Sequence, residues 1–404
     1  MTFGIIKERK SPPDRRVVFS PQALAMAKKQ FPNARFKVES SDIRVFSDQE
    51  YRDAGFEVTQ DISDCDVLLG VKEVPKEALL ANKKYFFFSH TIKKQPYNRE
   101  LLRKILEKNI ELFDHEVITD RQGMRLIGFG RYAGIVGAYN AMRTWGLKFG
   151  KYELPKANGL EDQSALIARL STISLPAIKI VLTGKGKVGN GAKEMLDAMQ
   201  LREVTVHEFL KDTFEEPVYV QLDVEDYVKT NDGKLMSDKS DFYNHPEKYT
   251  NDFLKFTEIS DLFIAGHFYG EGAPVFYTKE DIASEKFKIK VVADISCDID
   301  GPVASTIRSS TIADPIFGLD PQKGTETDYK DPKAIAVMAV DNLPCELPKD
   351  ASEGFGQMFL DHVLPAFFNQ DADGILERAR MTQNGTLTER YRYLKEYVDE
   401  TKAS

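Results

Sequence analysis

Two groups of residues have types and spacings that suit chemistry. The first is Gly184-Lys185-Gly186-Lys187-Val188-Gly189, which follows the apolar run Ile178-Lys179-Ile180-Val181-Leu182-Thr183 and precedes Met195, Leu196 and Met199 at helical spacing. A GxGxxG turn between a strand and a helix lets a pyrophosphate approach the helix N-terminus, where unpaired N–H groups and the helix dipole favour an anion. Without a ligand the same segment reads as a tight strand-to-helix turn. Glu208 lies near the roughly 20-residue offset at which a carboxylate hydrogen-bonds a ribose 2′-hydroxyl, which leans toward NAD. Lys185 and Lys187 flank the turn and suit a 2′-phosphate, so NADP stays open beside NAD.

The second group falls at predicted strand ends, the rim where open parallel sheets bind ligands. Lys72 and Glu73 follow the run 67–71, and His90 follows 85–89. A lysine and an imidazole on one rim can serve as an acid-base pair, although spacing alone fits a solvated strand end equally well. Glu116, after 110–113, Arg125, just before Leu126-Ile127-Gly128-Phe129, and Arg16, in Asp14-Arg15-Arg16-Val17, would reach the same rim. Arginine suits a carboxylate and a carboxylate suits an ammonium, yet taken singly each of these three fits a surface ion pair. Farther on, Ala293-Asp294-Ile295-Ser296-Cys297-Asp298 ends a strand where small side chains would meet the nicotinamide half of a cofactor. Asp341-Asn342-Leu343-Pro344 by itself reads as a turn or helix N-cap. His267, Cys65 and Cys345 read as structural.

The elements that must position these groups alternate between strand and helix, the pattern of an α/β fold. Strands are expected at 3–6, 35–38, 67–71, 85–88 and 110–113, with helices at 20–30 and 97–108. A glycine-bearing helix over 132–145 leads into a second α/β unit, with strands at 178–183, 204–206, 262–265 and 289–293. Residues 209–253 read as a polar insertion, a surface excursion or lid, because they are too long for an ordinary connection. Thr386-Leu387-Thr388-Glu389 has the form of a capping box opening a last helix with Tyr391, Leu394 and Val398 on one face, packed on the first domain. The expected architecture is two Rossmann-like doubly wound domains with a cleft between them. Residues 1–131 plus about 350–404 form a substrate or catalytic domain, and 132–349 a dinucleotide-binding domain with the insertion at about 209–253.

Composition narrows the function classes. The 404 residues are 42% apolar and 29% charged, inside the globular range. A net charge of −8 argues against nucleic acid as a partner. No apolar run approaches the ~20 residues needed to span a bilayer, and the N-terminus lacks the pattern of a signal peptide, so no membrane partner is expected. Three separated cysteines give neither a disulfide framework nor a metal motif, and none of the six histidines has ligand spacing, so no metal is expected and a reducing cytoplasm is. Oligomeric state stays open.

Taken together, several motifs resemble a known family. They are Asp14-Arg15-Arg16-Val17, Gly70-Val71-Lys72-Glu73, Phe87-Phe88-Ser89-His90-Thr91-Ile92-Lys93, Gly128-Phe129-Gly130-Arg131-Tyr132-Ala133-Gly134, Asp294-Ile295-Ser296-Cys297-Asp298 and Asp341-Asn342-Leu343-Pro344-Cys345-Glu346-Leu347-Pro348. With His245-Pro246-Glu247-Lys248-Tyr249 and the ending Asn384-Gly385-Thr386-Leu387, they resemble the lysine-forming saccharopine dehydrogenases over essentially the full length. The likeness is strongest to the lysine-2-oxoglutarate reductase half of the bifunctional aminoadipic semialdehyde synthases. The chain stops where those enzymes continue into a second dehydrogenase, so the resemblance implies only the lysine-side reaction. That reaction joins the ε-amine of L-lysine to 2-oxoglutarate through an imine, which a nicotinamide hydride reduces to saccharopine.

By motif position the resemblance makes Lys72 the general base toward the secondary amine and His90 the acid-base group for imine formation and hydrolysis. Arg16 and Arg125 would bind substrate carboxylates, Phe129 would line the substrate site, and Glu73 and Glu116 would tune the charge around Lys72 and His90. Gly186, Lys187, Glu208, Ser296, Asp341, Asn342 and Leu343 would contact the cofactor. Alanine dehydrogenase and the transhydrogenase subunit share the implied fold, so an alanine dehydrogenase-like activity is the alternative. Asp298-Ile299-Asp300-Gly301-Pro302 departs from the Asp-Gln-Gly-Gly pattern of that enzyme. A cofactor-sensing protein without catalysis is the third reading.

Overall fold

The computed structural model describes residues 1–400. The chain divides into two compact units, Met1–Phe129 with the chain from Pro348 onward, and Gly130–Leu347. No helix among the described residues is long and apolar enough to cross a membrane.

The first unit is built on strands β1 (Thr2–Ile5), β2 (Arg35–Glu39), β3 (Glu57–Thr59), β4 (Val67–Leu69), β5 (Lys84–Phe87) and β6 (Glu111–Asp114). They form one six-stranded sheet in the order β3-β2-β1-β4-β5-β6, and every pairing is parallel. Alternate side chains go to opposite faces, as the pleat requires. Phe3, Val67, Leu69, Phe86 and Phe113 join one core with Phe355 and Phe359. Leu68, Tyr85, Phe87 and Leu112 join another with Leu101, Leu102 and Ile105 of the helix Arg99–Glu107. Both faces are thereby covered, which is why the strands read as continuous apolar runs. The helix Pro21–Gln30 starts as its sequence suggests, with Pro21 in the first turn and Ser20 Oγ accepting from the Ala23 N–H at 3.1 Å.

The second unit holds β7 (Lys179–Thr183), β8 (Arg202–Glu203), β9 (Val218–Leu222), the hairpin β10 (Val228–Thr230) and β11 (Tyr249–Asn251), β12 (Leu262–Ala265), β13 (Val291–Asp294), β14 (Ile316–Asp320), β15 (Thr325–Thr327) and β16 (Ile335–Met338). Its main sheet runs β15-β14-β16-β13-β12-β7-β9-β8, parallel from β16 to β8. The helices Gly130–Phe149 and Lys187–Ala198 cross at backbone contact: a Cβ on Gly134 would overlap the Val188 carbonyl oxygen, and one on Gly191 the Arg131 carbonyl oxygen.

Three expectations are corrected. Residues 204–206 are not a strand; β8 is the exposed pair Arg202–Glu203, and Thr205 caps the helix Val206–Lys211. The stretch 209–253 is not one surface excursion, since residues 218–222 form the fully buried β9 beside β7. What protrudes is the part built on the β10–β11 hairpin and the helix Lys239–Asn244. The expected capping box at Thr386 is absent. Asn384 and Gly385 both take positive φ, 51° and 72°, and turn a hairpin between β17 (Thr382–Gln383) and β18 (Thr386–Leu387). Thr388 Oγ1 donates to the Arg380 carbonyl at 2.7 Å, a 3₁₀ segment covers Glu389–Leu394, and the last helix is only Lys395–Asp399.

Candidate active site

In the first unit the strand order reverses between β1 and β4, the place where parallel sheets open a crevice at their carboxyl ends. Glu8, just past β1, is buried there and bridges the two strand ends. Its Oε1 accepts from the Val71 N–H at 2.7 Å and its Oε2 from the Lys72 N–H at 2.9 Å, which fixes the backbone from which the Lys72 side chain departs. Burial pushes the Glu8 carboxyl up to about 7; the nearby Asp14 adds to the rise, while the two N–H donors and Arg16 oppose it.

His90, after β5, has a left-handed backbone with φ 54°, a conformation a non-glycine residue keeps only where its surroundings impose it. Its Nε2 lies 3.7 Å from Glu73 Oε1 and its Nδ1 3.8 Å from Glu116 Oε2. A ring with a carboxylate at each nitrogen is oriented through one nitrogen and can exchange a proton through the other. Each carboxylate also has a cation: Lys10 Nζ is 3.1 Å from Glu73, while Lys93 Nζ at 3.7 Å and Arg125 at 3.2 Å face Glu116. Burial would raise the Glu116 carboxyl, but His90, Lys93 and Arg125 outweigh it and hold the group at about 2. Underneath, Asp114 at the end of β6 accepts from the Ser89 and Glu116 N–H groups at 3.0 and 2.7 Å and from the Ser89 hydroxyl, tying the β5 and β6 ends together. Burial raises Asp114 to about 6 against those donors.

Arg16 is buried, with Nε and one terminal nitrogen on Asp14 at 3.0 and 2.6 Å and its guanidinium 4.2 Å from the centre of the Phe129 ring. Phe129 itself stacks on Phe355 at 4.6 Å. The first unit therefore assembles Lys72, Glu73, His90, Glu116 and Arg125 at one rim, with Arg16 and Phe129 packed on each other. Glu8, Lys10, Asp14, Lys93 and Asp114 belong to the same arrangement and were not singled out in the sequence. Glu8 had a signal close to that of Lys72 and His90, a charged residue two positions past the apolar run Phe3-Gly4-Ile5-Ile6.

Glu8 gives a pH test. Its folded pKa of about 7 lies above the ordinary 4.5, so its contribution to stability is complete below about 4.5 and is lost as pH rises through about 7. Relative to Glu8→Gln, the wild-type protein should lose roughly 2–3 kcal/mol of unfolding free energy between pH 5 and pH 8. Denaturant melts across that range measure this, and a difference independent of pH would contradict it.

In the second unit the glycine turn closes β7 onto the helix Lys187–Ala198, with Gly186 as its N-cap. Gly184 has φ +95° and its missing Cβ would overlap the Gly266 carbonyl oxygen; a Cβ on Gly189 would overlap the Gly184 carbonyl oxygen. A Cβ on Gly186, by contrast, would meet nothing within 4 Å, so the turn is open at the point where a pyrophosphate would approach. Gln221 of β9 braces the turn through Nε2 to the Gly184 carbonyl at 2.9 Å and to Asn190 Oδ1 at 3.1 Å. His267 Nδ1 lies 2.9 Å from Thr183 Oγ1, its Nε2 is buried without a hydrogen-bond partner, and burial lowers the ring to about 3, so it is neutral. These features fit a dinucleotide phosphate held by backbone N–H groups.

The other cofactor-side residues fall in three places. Lys187 and Val188 open the helix after the turn. Ser296 donates from N and Oγ to Asp294 Oδ1 at 3.2 and 2.7 Å, Asp341 and Asn342 follow β16, and the half-buried Cys297 thiol, pushed up to about 12 by burial and then by Asp341 and Asp294, shows that these segments adjoin. Asn342 is left-handed with φ 64°, and Leu343 is buried. Glu208 lies in the helix Val206–Lys211, where its Oε2 accepts from Thr205 N and Oγ1 at 2.8 and 2.7 Å. It borders a 400 Å³ hollow shared with Lys185, Gln221 and Asp226.

Residues 4–136 match the alanine dehydrogenase/PNT N-terminal domain. The matched residues include the strand-end cluster of the first unit. Over 97% of its length the chain is 27% identical to the alpha-aminoadipic semialdehyde synthase of Arabidopsis thaliana, of which it spans 41%. It is 23% identical to the NAD(+), L-lysine-forming saccharopine dehydrogenase of Yarrowia lipolytica, across 81% of this chain and 82% of that one. The chain thus spans less than half of the semialdehyde synthase. Among solved structures an L-alanine dehydrogenase superposes with a TM-score of 0.65 at 16% identity, covering 98% of this chain and 100% of that one, which establishes the shared fold.

Proposed function

We propose that this chain interconverts saccharopine with L-lysine and 2-oxoglutarate, using NAD or NADP bound at the glycine turn. The observation that carries this reading is His90 held between Glu73 and Glu116, with Lys72 on the adjacent strand end fixed through Glu8. Its support among relatives is the likeness to a protein named for forming L-lysine from saccharopine.

In the synthetic direction the lysine ε-amine attacks the keto carbon of 2-oxoglutarate. His90 delivers a proton to the departing hydroxyl, so that water leaves and the imine forms. Reduction of this imine carbon would take its hydride from the bound nicotinamide cofactor. Lys72 exchanges the proton at the secondary amine, taking it in the reverse reaction, while Glu73 and Glu116 keep the imidazole oriented. Arg125 binds a substrate carboxylate from the rim, and Arg16, seated on Asp14 and Phe129, presents positive charge toward another. Gly184, Gly186, Lys187, Val188 and Gly189 would hold the cofactor phosphates, and Ser296, Asp341, Asn342 and Leu343 would face its nicotinamide end. A reducing cytoplasm suits the three cysteines, none of which is in a disulfide.

The purified protein is expected to oxidise reduced nicotinamide cofactor only when lysine and 2-oxoglutarate are both present. Oxidation with pyruvate and ammonia instead would reassign it to the alanine dehydrogenase-like reaction, and cofactor binding without turnover would make it a sensor.

A further inference from the structure

Where β4 ends, its ladder with β5 breaks step. The Gly70 N–H donates to the Phe86 carbonyl at 2.9 Å, and a regular parallel ladder would continue with the Phe88 N–H donating to the Gly70 carbonyl. That N–H donates instead to the Val71 carbonyl, one residue on, at 2.9 Å. The Gly70–Val71 peptide is thereby turned out of the ladder, as in a β-bulge, a device that ends pairing and re-aims the side chain that follows. Both of its polar groups go to side chains. The Val71 N–H donates to Glu8 Oε1 at 2.7 Å, and the Gly70 carbonyl accepts from His115 Nε2 at 2.8 Å. In a trans peptide these two groups point in opposite directions, so the plane is clamped from both sides. Lys72 is the next residue along the chain.

Resting on the role given to Lys72 above, we propose that His115 is a positioning residue for that reaction, which fixes the direction in which Lys72 leaves the sheet by holding the bulged Gly70 carbonyl. His115 follows β6, and β5 lies between β6 and β4, so the ring reaches past a strand to make this bond. It is fully buried, with the Phe88 and Phe355 ring centres each at 5.1 Å and those of Phe359 and Phe86 at 6.1 and 6.3 Å. Burial lowers the ring to about 4 against the opposing effect of the Gly70 carbonyl, so it is neutral. Because a carbonyl only accepts, the one ring proton sits on Nε2. That leaves Nδ1 buried without a hydrogen-bond partner. An aromatic or aliphatic side chain would fill the same space without that cost, so the bond to Gly70 is what a histidine adds here.

The test compares side chains that reach Gly70 with side chains that do not. His115→Phe keeps the ring and removes the donor. Its kcat with lysine, 2-oxoglutarate and reduced cofactor is expected to fall by about 10–100-fold, the scale of a small misplacement of a reacting group, with KM values within about threefold of wild type. His115→Gln carries an N–H close to the Nε2 position and should return kcat to within about threefold of wild type, whereas His115→Asn is too short and should stay about tenfold low. The Gln and Asn pair answers the question even where His115→Phe does not fold, and thermal melts show which variants are intact. In the Lys72→Met background His115→Phe should lower the residual rate by less than about twofold, because the group it positions is gone. Equal kcat in folded His115→Gln and His115→Asn would overturn the proposal. So would losses that multiply in the double variant, which would mean that His115 acts through Glu116 and His90 instead. Either result leaves the dehydrogenase reading intact, whereas absence of turnover by wild type would remove the reaction and this role together.

Discussion

Lys72→Met is expected to lower turnover of lysine, 2-oxoglutarate and reduced cofactor by about 10²–10⁴-fold, with cofactor affinity unchanged. The magnitude is that of removing a positioned general acid-base group. Methionine keeps the length and apolar stem of lysine and removes only the titrating nitrogen. The backbone contact is also kept, because the Lys72 N–H donates to Glu8 Oε2 whatever the side chain. An effect of this size would therefore report proton exchange at the substrate nitrogen. Steady-state kinetics with both substrates saturating, beside a cofactor titration of the same preparation, measures it. Wild-type turnover in Lys72→Met would remove the residue from the proton-transfer role and leave His90 as the acid-base group of the rim.

The parts of this site that were legible in the sequence are those set by local chemistry. A glycine turn between a strand and a helix needs no distant partner to be recognised, and Lys72 and His90 each directly follow a strand run, with Glu116 three residues past another. What escaped depends on which strands lie side by side. Glu8 matters because β1 pairs with β4, placing its carboxylate against Val71 and Lys72, and periodicity carries no information on that pairing. β9 was hidden for a related reason: Gln221 interrupts its apolar run with a polar side chain, which the fold uses to brace Gly184. At the C-terminus two local signals competed, and the Asn384-Gly385 turn won over the capping box because it lets β17 and β18 pair.

The second and third glycines of the turn give the second large effect and distinguish packing from ligand space. In Gly189→Ala the new Cβ falls on the Gly184 carbonyl, with the carbonyl carbon at 2.6 Å, and neither atom can swing away as a side chain would. The turn must open or the helix must retreat, so the melting temperature should fall by about 5 °C or more and NADH affinity by on the order of 10²-fold. That loss alone does not show that the turn holds a ligand, because a distorted turn could disturb binding elsewhere in the unit. Gly186→Ala resolves this. Its φ of −85° is open to any residue and nothing lies within 4 Å of the added methyl, so the melting temperature should stay within about a degree of wild type. The methyl group nevertheless occupies the space through which a pyrophosphate would approach the helix N-terminus, so NADH should bind on the order of tenfold more weakly. Thermal melts and fluorescence titrations of the pair are sufficient. Unchanged NADH affinity in a stably folded Gly186→Ala would mean that the turn only joins a strand to a helix, and the cofactor would have to be sought at another strand end of the same sheet.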